Sequence, residues 1–130
     1  MALDQVKGVN RQLISLQSNA DLTANRYRAA RIFDSMTCGQ VSATTNPIIG
    51  VQEDIPLSGT GRAVSVCILG QTLGVAAAAF TAGAKLTIDA NGQFQAANTA
   101  TQIIAGFAVG SALAASQVVS VFVTIDNSGF

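Results

Sequence analysis

The sequence predicts an all-β fold, a compact β-sandwich or small β-barrel, with a basic N-terminal arm that is partly helical. Three observations predict it. From residue 28 onward, short apolar runs rich in Val, Ile, Ala and Thr are punctuated by Gly, Pro, Asn and Ser, the pattern of many short strands. The chain of 130 residues is 49% hydrophobic but only 11% charged, against roughly 25% charged in an ordinary soluble protein. The charge is also uneven. Residues 1–31 hold five bases and two acids, a net of +3, and residues 32–130 hold two bases and five acids, a net of −3. This divides the chain into an arm, 1–31, and a β-rich domain, 32–130.

Within the arm, Val6, Val9, Leu13, Leu16 and Ala20 recur at alternating spacings of three and four, which marks one helical stripe. The stripe spans two heptads and includes Gly8, so in isolation it is marginal and is expected to order on a partner. Strands are expected at Arg28–Asp34, Gly39–Ala43, Ile48–Gln52, Ala63–Leu69, Gly74–Ala78, Lys85–Asp89, Gln93–Ala97, Ile104–Val109 and Val118–Ile125. Asn91–Gly92, between Leu86-Thr87-Ile88 and Phe94, predicts a type I′ hairpin turn with positive φ at both central residues. Gly59-Thr60-Gly61 reads as a second turn. Pro47 and Pro56 fall at strand starts or in loops, where a missing N–H does no harm.

The chain also echoes itself. Ile48-Ile49-Gly50 precedes Val64-Ser65-Val66-Cys67-Ile68, and Ile103-Ile104-Ala105-Gly106 precedes Val119-Ser120-Val121-Phe122-Val123. Each copy reads as a strand, a Gly, a loop of small residues and a buried strand. Two copies are too few for a solenoid but suit two equivalent units facing each other across one core.

Low charge with a formal net charge of zero leaves little to keep a lone small domain soluble. Neighbouring molecules are therefore expected to cover much of the surface. Residues 63–84 lack Asp, Glu, Lys and Arg over a length that could span a bilayer. Gln71-Thr72 at the centre, flanking glycines and abundant Ala argue against a span, and no membrane association is expected. The N-terminus shows no apolar secretory core. Cys38 and Cys67 have no CxxC spacing and no His to complete a zinc site. Both are expected as reduced thiols, a Cys38–Cys67 disulfide being the alternative.

No chemistry-bearing pattern survives inspection. The absence of His removes the commonest general base, and Glu53–Asp54 read as solvated loop acids. Gly83-Ala84-Lys85 lacks the Gly-Lys-Ser/Thr order of a phosphate loop. Gly59-Thr60-Gly61 lacks the third Gly of a dinucleotide fingerprint. A calcium loop starting at Asp89 would need Gly and Glu where Phe94 and Ala100 stand. The expectation is a protein with no catalytic, cofactor or metal site and no small-molecule substrate, hence not an enzyme. The candidate contact residues are Val6, Val9, Leu13 and Leu16 on the stripe, with the basic cluster Arg26-Tyr27-Arg28 and Arg31. Nucleic acid is one reading of that cluster, but four residues on a neutral chain make a small footprint. Docking on an acidic protein surface is preferred, ordinary solvated charge being the alternative.

The run Thr81-Ala82-Gly83-Ala84-Lys85-Leu86-Thr87-Ile88-Asp89, the Asn91-Gly92 turn, and Ile104-Ala105-Gly106-Phe107-Ala108-Val109-Gly110 with the Ala-rich loop and Val118–Val123 strand after it resemble the phage capsid cement, or decoration, proteins. The resemblance runs from Ile32 to Thr124, and nothing is carried over to residues 1–31. It implies a compact β-fold on the outside of an icosahedral head, often trimeric, clamping neighbouring capsomers. A virion structural protein is thus expected, with the major capsid protein and its own copies in a homotrimer as partners. It would be made in the host cytoplasm and located on the outer capsid surface. The alternative is another self-assembling subunit: tail tube, head fibre or bacterial surface protein.

Overall fold

The computed structural model describes residues 11–99 and 102–126, which form nine strands and no helix. The strands are β1 (Gln12–Ser18), β2 (Ala29–Asp34), β3 (Thr37–Gln40), β4 (Gly50–Gln52), β5 (Ala63–Val75), β6 (Lys85–Ile88), β7 (Phe94–Ala96), β8 (Ile104–Ala108) and β9 (Val118–Asp126). They run in the order β1-β3-β2-β4-β5-β9-β8-β6-β7, and a further β1–β5 pairing closes the first five into a barrel. The all-β expectation holds, in its barrel form.

Four expectations are corrected, three of them about the strands. The helical stripe is a strand over its described part. Ile14, Leu16 and Ser18 alternate inward along β1 while Leu13 faces out, because antiparallel pairing with β5 from Gln12 to Gln17 overrides the weak helical spacing. Val6 and Val9 lie outside the described residues. The division at residue 31 is not a division of the sheet, since β1 and the start of β2 precede it and pair with β5, β3 and β4. The two strands expected at 63–69 and 74–78 are one, β5, which bends at Gly70 with φ +110° instead of breaking.

The turn after β6 is also of another type. Gly92 has φ +77° but Asn91 is not in the left-handed region. Gly92 N–H donates to Asp89 O at 3.2 Å, and the Asp89 carboxylate accepts from the N–H groups of Asn91 and Gln93, both at 2.9 Å. This is a type I turn closed by a left-handed Gly, held by an aspartate that outcompetes the I′ geometry.

The internal echo is a duplication of the whole barrel. The second half of β5 with β6, β7, β8 and β9 repeats the pairings of β1 to β5, strand for strand. Ala30–Gly50 and Ala30–Gln40 become Leu86–Gly106 and Leu86–Ala96. Val51–Cys67 becomes Phe107–Phe122. The parallel Ser18–Cys38 pair becomes the isolated parallel bridge Ala76–Phe94, which closes the second ring. Backbone hydrogen bonds outside the ladders repeat as well. Tyr27 N–H to Gln52 O (2.6 Å) matches Gly83 to Ala108 (2.7 Å), and Ser18 to Arg62 matches Ala76 to Gln117, both 2.8 Å. Left-handed backbone recurs at Tyr27 and Gly83, Met36 and Gly92, Gly61 and Ser116. β5 is thus the last strand of one unit and the first of the next.

Two cores follow. Leu16, Leu22, Ala30, Cys38, Val64 and Val66 fill the first barrel. The larger core fills the second with Leu86, Ile88, Phe94, Ile103, Val121 and Val123, and takes in Ala29, Val41, Ile48, Val51 and Cys67 from the outer face of the first. The second unit therefore sits on the outside of the first, and both cysteines are buried as free thiols in different cores.

Candidate interaction surface

Alternation along β8 and β9 makes the first surface. Ala108, Val121 and Val123 point inward, so Phe107 and Phe122 must point out, and they are 42% and 37% exposed. Register places them directly opposite each other, with Gln71 of β5 beyond Phe122 and Lys85 of β6 beyond Phe107. Leu69, Leu73, Val109 and Val118 extend the patch. Lys85 is its one charge. Adjacent aromatic rings with a single charge beside them are the makings of a protein contact.

A second surface is the tip of the β2–β3 hairpin, where Ile32, Phe33 and Met36 are about half exposed or more. A third is duplicated. Leu57 in the loop before β5 and Leu113 in the loop before β9 are 73% and 82% exposed, each following a buried residue, Pro56 and Ala112.

The residues singled out from sequence do not gather. Leu16 is in the core and Leu13 is exposed on the opposite face of β1, so these two do not share a face, and Val6 and Val9 lie outside the described residues. Arg26 donates to Glu53 O at 3.0 Å and lies 4.5 Å over the Tyr27 ring. Arg31 donates to Gln40 O at 3.1 Å and lies 5.2 Å over the Phe33 ring. β2 starts at Ala29, so Arg26, Tyr27 and Arg28 precede it. Arg26 and Arg31 brace loops and strand edges. The exposed Phe pair was missed because a Val-rich strand reads as wholly buried. The usable signal was the alternation Val121-Phe122-Val123.

Electrostatics concentrate at the joint between the units. Arg11 pairs with one Glu53 oxygen, and the Thr72 hydroxyl donates to the other. Burial, then the Glu53 charge, pushes the Cys67 thiol up, and burial does the same at Cys38. Among the described residues no three of His, Cys, Asp and Glu come together as a metal site, and no helix is long and apolar enough to cross a membrane.

A family model described as phage cement protein matches residues 18–124. The fold is similar to the crystal structure of the head fiber gp8.5 N base in bacteriophage phi29, with a TM-score of 0.64 and 17% sequence identity, covering 88% of this chain and 94% of that one. No curated protein matches the chain.

Proposed function

This chain belongs to the phage cement protein family and is a virion structural protein, and we propose that it decorates the outer surface of an icosahedral head between capsomers, as a homotrimer, bound to the major capsid protein. The observation that carries this reading is the pair Leu57 and Leu113. Two units of one fold each hold out a leucine on the same loop. Exposed apolar anchors do nothing for the fold itself, and they supply binding when they fill pockets. Two matching anchors suit a surface that itself repeats, as a shell of identical subunits does, and several weak contacts then add through multivalency.

On this reading the chain has no catalytic role. The support is chemical: it contains no His, and its two thiols are buried. Synthesis in the host cytoplasm fits two free thiols in separate cores.

The test is electron microscopy and co-sedimentation of empty shells with the protein. Wild type should coat the shells, Leu57→Asp or Leu113→Asp should coat partially, and the double variant should fail while keeping its far-UV spectrum and melting curve. Undiminished coating by the folded double variant would refute the leucine anchors. A second reading, the base of a head fibre, takes support from the fold shared with the phi29 head fibre base. The same images separate the two, since a base carries a protruding fibre and a cement protein does not.

A further inference from the structure

The duplicated barrel shows how one unit mates with the next. In the first unit the row Ala29–Val51–Cys67 runs across β2, β4 and β5 on the outer face. All three side chains are at most 2% exposed, because the second unit covers them. The same row in the second unit is Lys85–Phe107–Phe122 across β6, β8 and β9, and nothing among the described residues covers it. The other half of the joint has its counterpart too. Ile88, paired with Phe94, is 0% exposed and belongs to the core that receives the covered row. Its equivalent in the first unit is Ile32, paired with Cys38, and Ile32 is 48% exposed. The molecule thus has a joint in its middle and an unmated copy of each half at its two ends.

We propose that the Phe107–Phe122 face of one copy docks on the Ile32 end of a second copy, repeating head to tail between molecules the joint that the chain makes within itself. This deepens the self-association in the reading above and rests on that part of it, not on attachment to a shell. The internal joint argues for a second copy as the occupant, because it shows that a surface of this architecture accepts such a row.

The intermolecular joint is not an identical copy. In the internal one, Ala29 N–H donates to Gly92 O at 2.8 Å, and a Cβ on Gly92 would lie 2.9 Å from Ala29 O. The corresponding residues at the ends are Lys85 and Met36, the latter 67% exposed. Two long, flexible side chains at that corner require the second copy to seat tilted away from it. A head-to-tail contact closes into a ring only when its rotation fits a whole turn, and otherwise runs on as a filament. The tilt at Met36 and Lys85 sets that rotation.

The test uses the full chain, with Phe122→Glu and Ile32→Glu as separate variants. Phe122→Ser and Ile32→Ser serve if either Glu variant fails to fold. Sedimentation velocity should show wild type associating and each variant alone weakened by about tenfold or more, at an unchanged melting temperature. An equimolar mixture of the two variants should form a dimer and stop there, since each brings one intact face and one spoiled face. A monomeric wild type, variants that associate like wild type, or a mixture that stays monomeric would each overturn the joint. Shell coating by the same samples separates this from the capsid reading. Coating by a monomeric wild type removes the joint and leaves the capsid reading, and association without coating does the reverse.

Discussion

Replacing Gly106 by Ala tests a close approach of two strands. Gly106 lies on β8 against β9, and a Cβ built there would sit 1.9 Å from Phe122 O and 2.9 Å from its carbonyl carbon. Ordinary contact begins at 3.4 Å, so the strands would have to part by about 1.5 Å, enough to break hydrogen bonds beside it. Two such bonds at about 1 kcal/mol each, with overpacking of about 1–3 kcal/mol, give a loss of roughly 3–5 kcal/mol. At about 3–5 °C per kcal/mol for a chain of this size, the melting temperature should fall by roughly 10–20 °C. The assay is thermal and urea unfolding by circular dichroism. Gly110→Ala is the control, since its Cβ would meet nothing nearer than Ser120 N at 3.9 Å. Gly50→Ala tests the duplication, because its Cβ would sit 2.2 Å from Cys67 O, the equivalent position in the first unit. Should Gly106→Ala melt with Gly110→Ala, the close approach is not what the strand pairing depends on. Should Gly50→Ala alone be silent, the two units are not mechanically equivalent.

Deleting residues 1–18 removes β1, opens the barrel and should abolish a cooperative melt; a cooperative melt of that truncated chain argues against β1 as the closing strand. Ser116 has φ +73° where the other unit has Gly61 at +72°, so Ser116→Gly should stabilise by about 0.5 kcal/mol and Gly61→Ala should destabilise by about 1 kcal/mol; urea midpoints moving the opposite way would count against it. The thiols predict a pH dependence. Burial raises both above their ordinary 9.0, so the folded protein keeps protons that the unfolded chain releases. Their stabilisation is fully present below the unfolded thiol pKa and is lost as pH rises toward the folded one, with a slope of at most about 1.4 kcal/mol per pH unit for each thiol. Urea midpoints measured across that alkaline range should fall in wild type and flatten in Cys38→Ala with Cys67→Ala; parallel profiles would remove burial of the thiols as the cause.

Most of the fold was legible because its strands are bounded by residues with local meaning. Pro47, Pro56, Asn91–Gly92 and the Gly-rich runs mark where ladders stop, and the ranges expected for β6, β7, β8 and β9 differ from those observed by a residue or so at an end. β1 was illegible because Val9, Leu13 and Leu16 satisfy a helical period while Ile14 and Leu16 satisfy a strand period. Only the distant pairing with β5 decides between them. Gly70 was misread for a related reason: a glycine at a bend inside one strand and a glycine between two strands look alike. The duplication was legible at its best-matched strands and not elsewhere, since Ser18 and Ala76, or Leu22 and Phe80, share a place in the fold without sharing chemistry. The contact surface was least legible of all. Outwardness is a property of register, and Phe122 differs from Val121 and Val123 only in which way the pleat turns it.

That difference is also what makes the Phe107–Phe122 face informative. If the face were simply solvent-exposed, nothing would favour large apolar side chains on it, since Phe107 and Phe122, 42% and 37% exposed, forgo part of the about 1.5–3 kcal/mol per side chain that full burial yields. Exposed aromatic pairs on a sheet also carry an aggregation hazard that a charge or a proline would relieve. Yet the second unit shows phenylalanines where the covered face of the first has Val51 and Cys67, and Lys85 is the only charge in its central row. The covered face uses small residues because a neighbour packs close over it. The uncovered face uses residues that reach outward. On the proposed head-to-tail reading, a chain with 11% charged residues that places large apolar groups at its two ends should lose solubility when that contact is broken, and the Phe122→Glu and Ile32→Glu variants are where that dependence should be measurable.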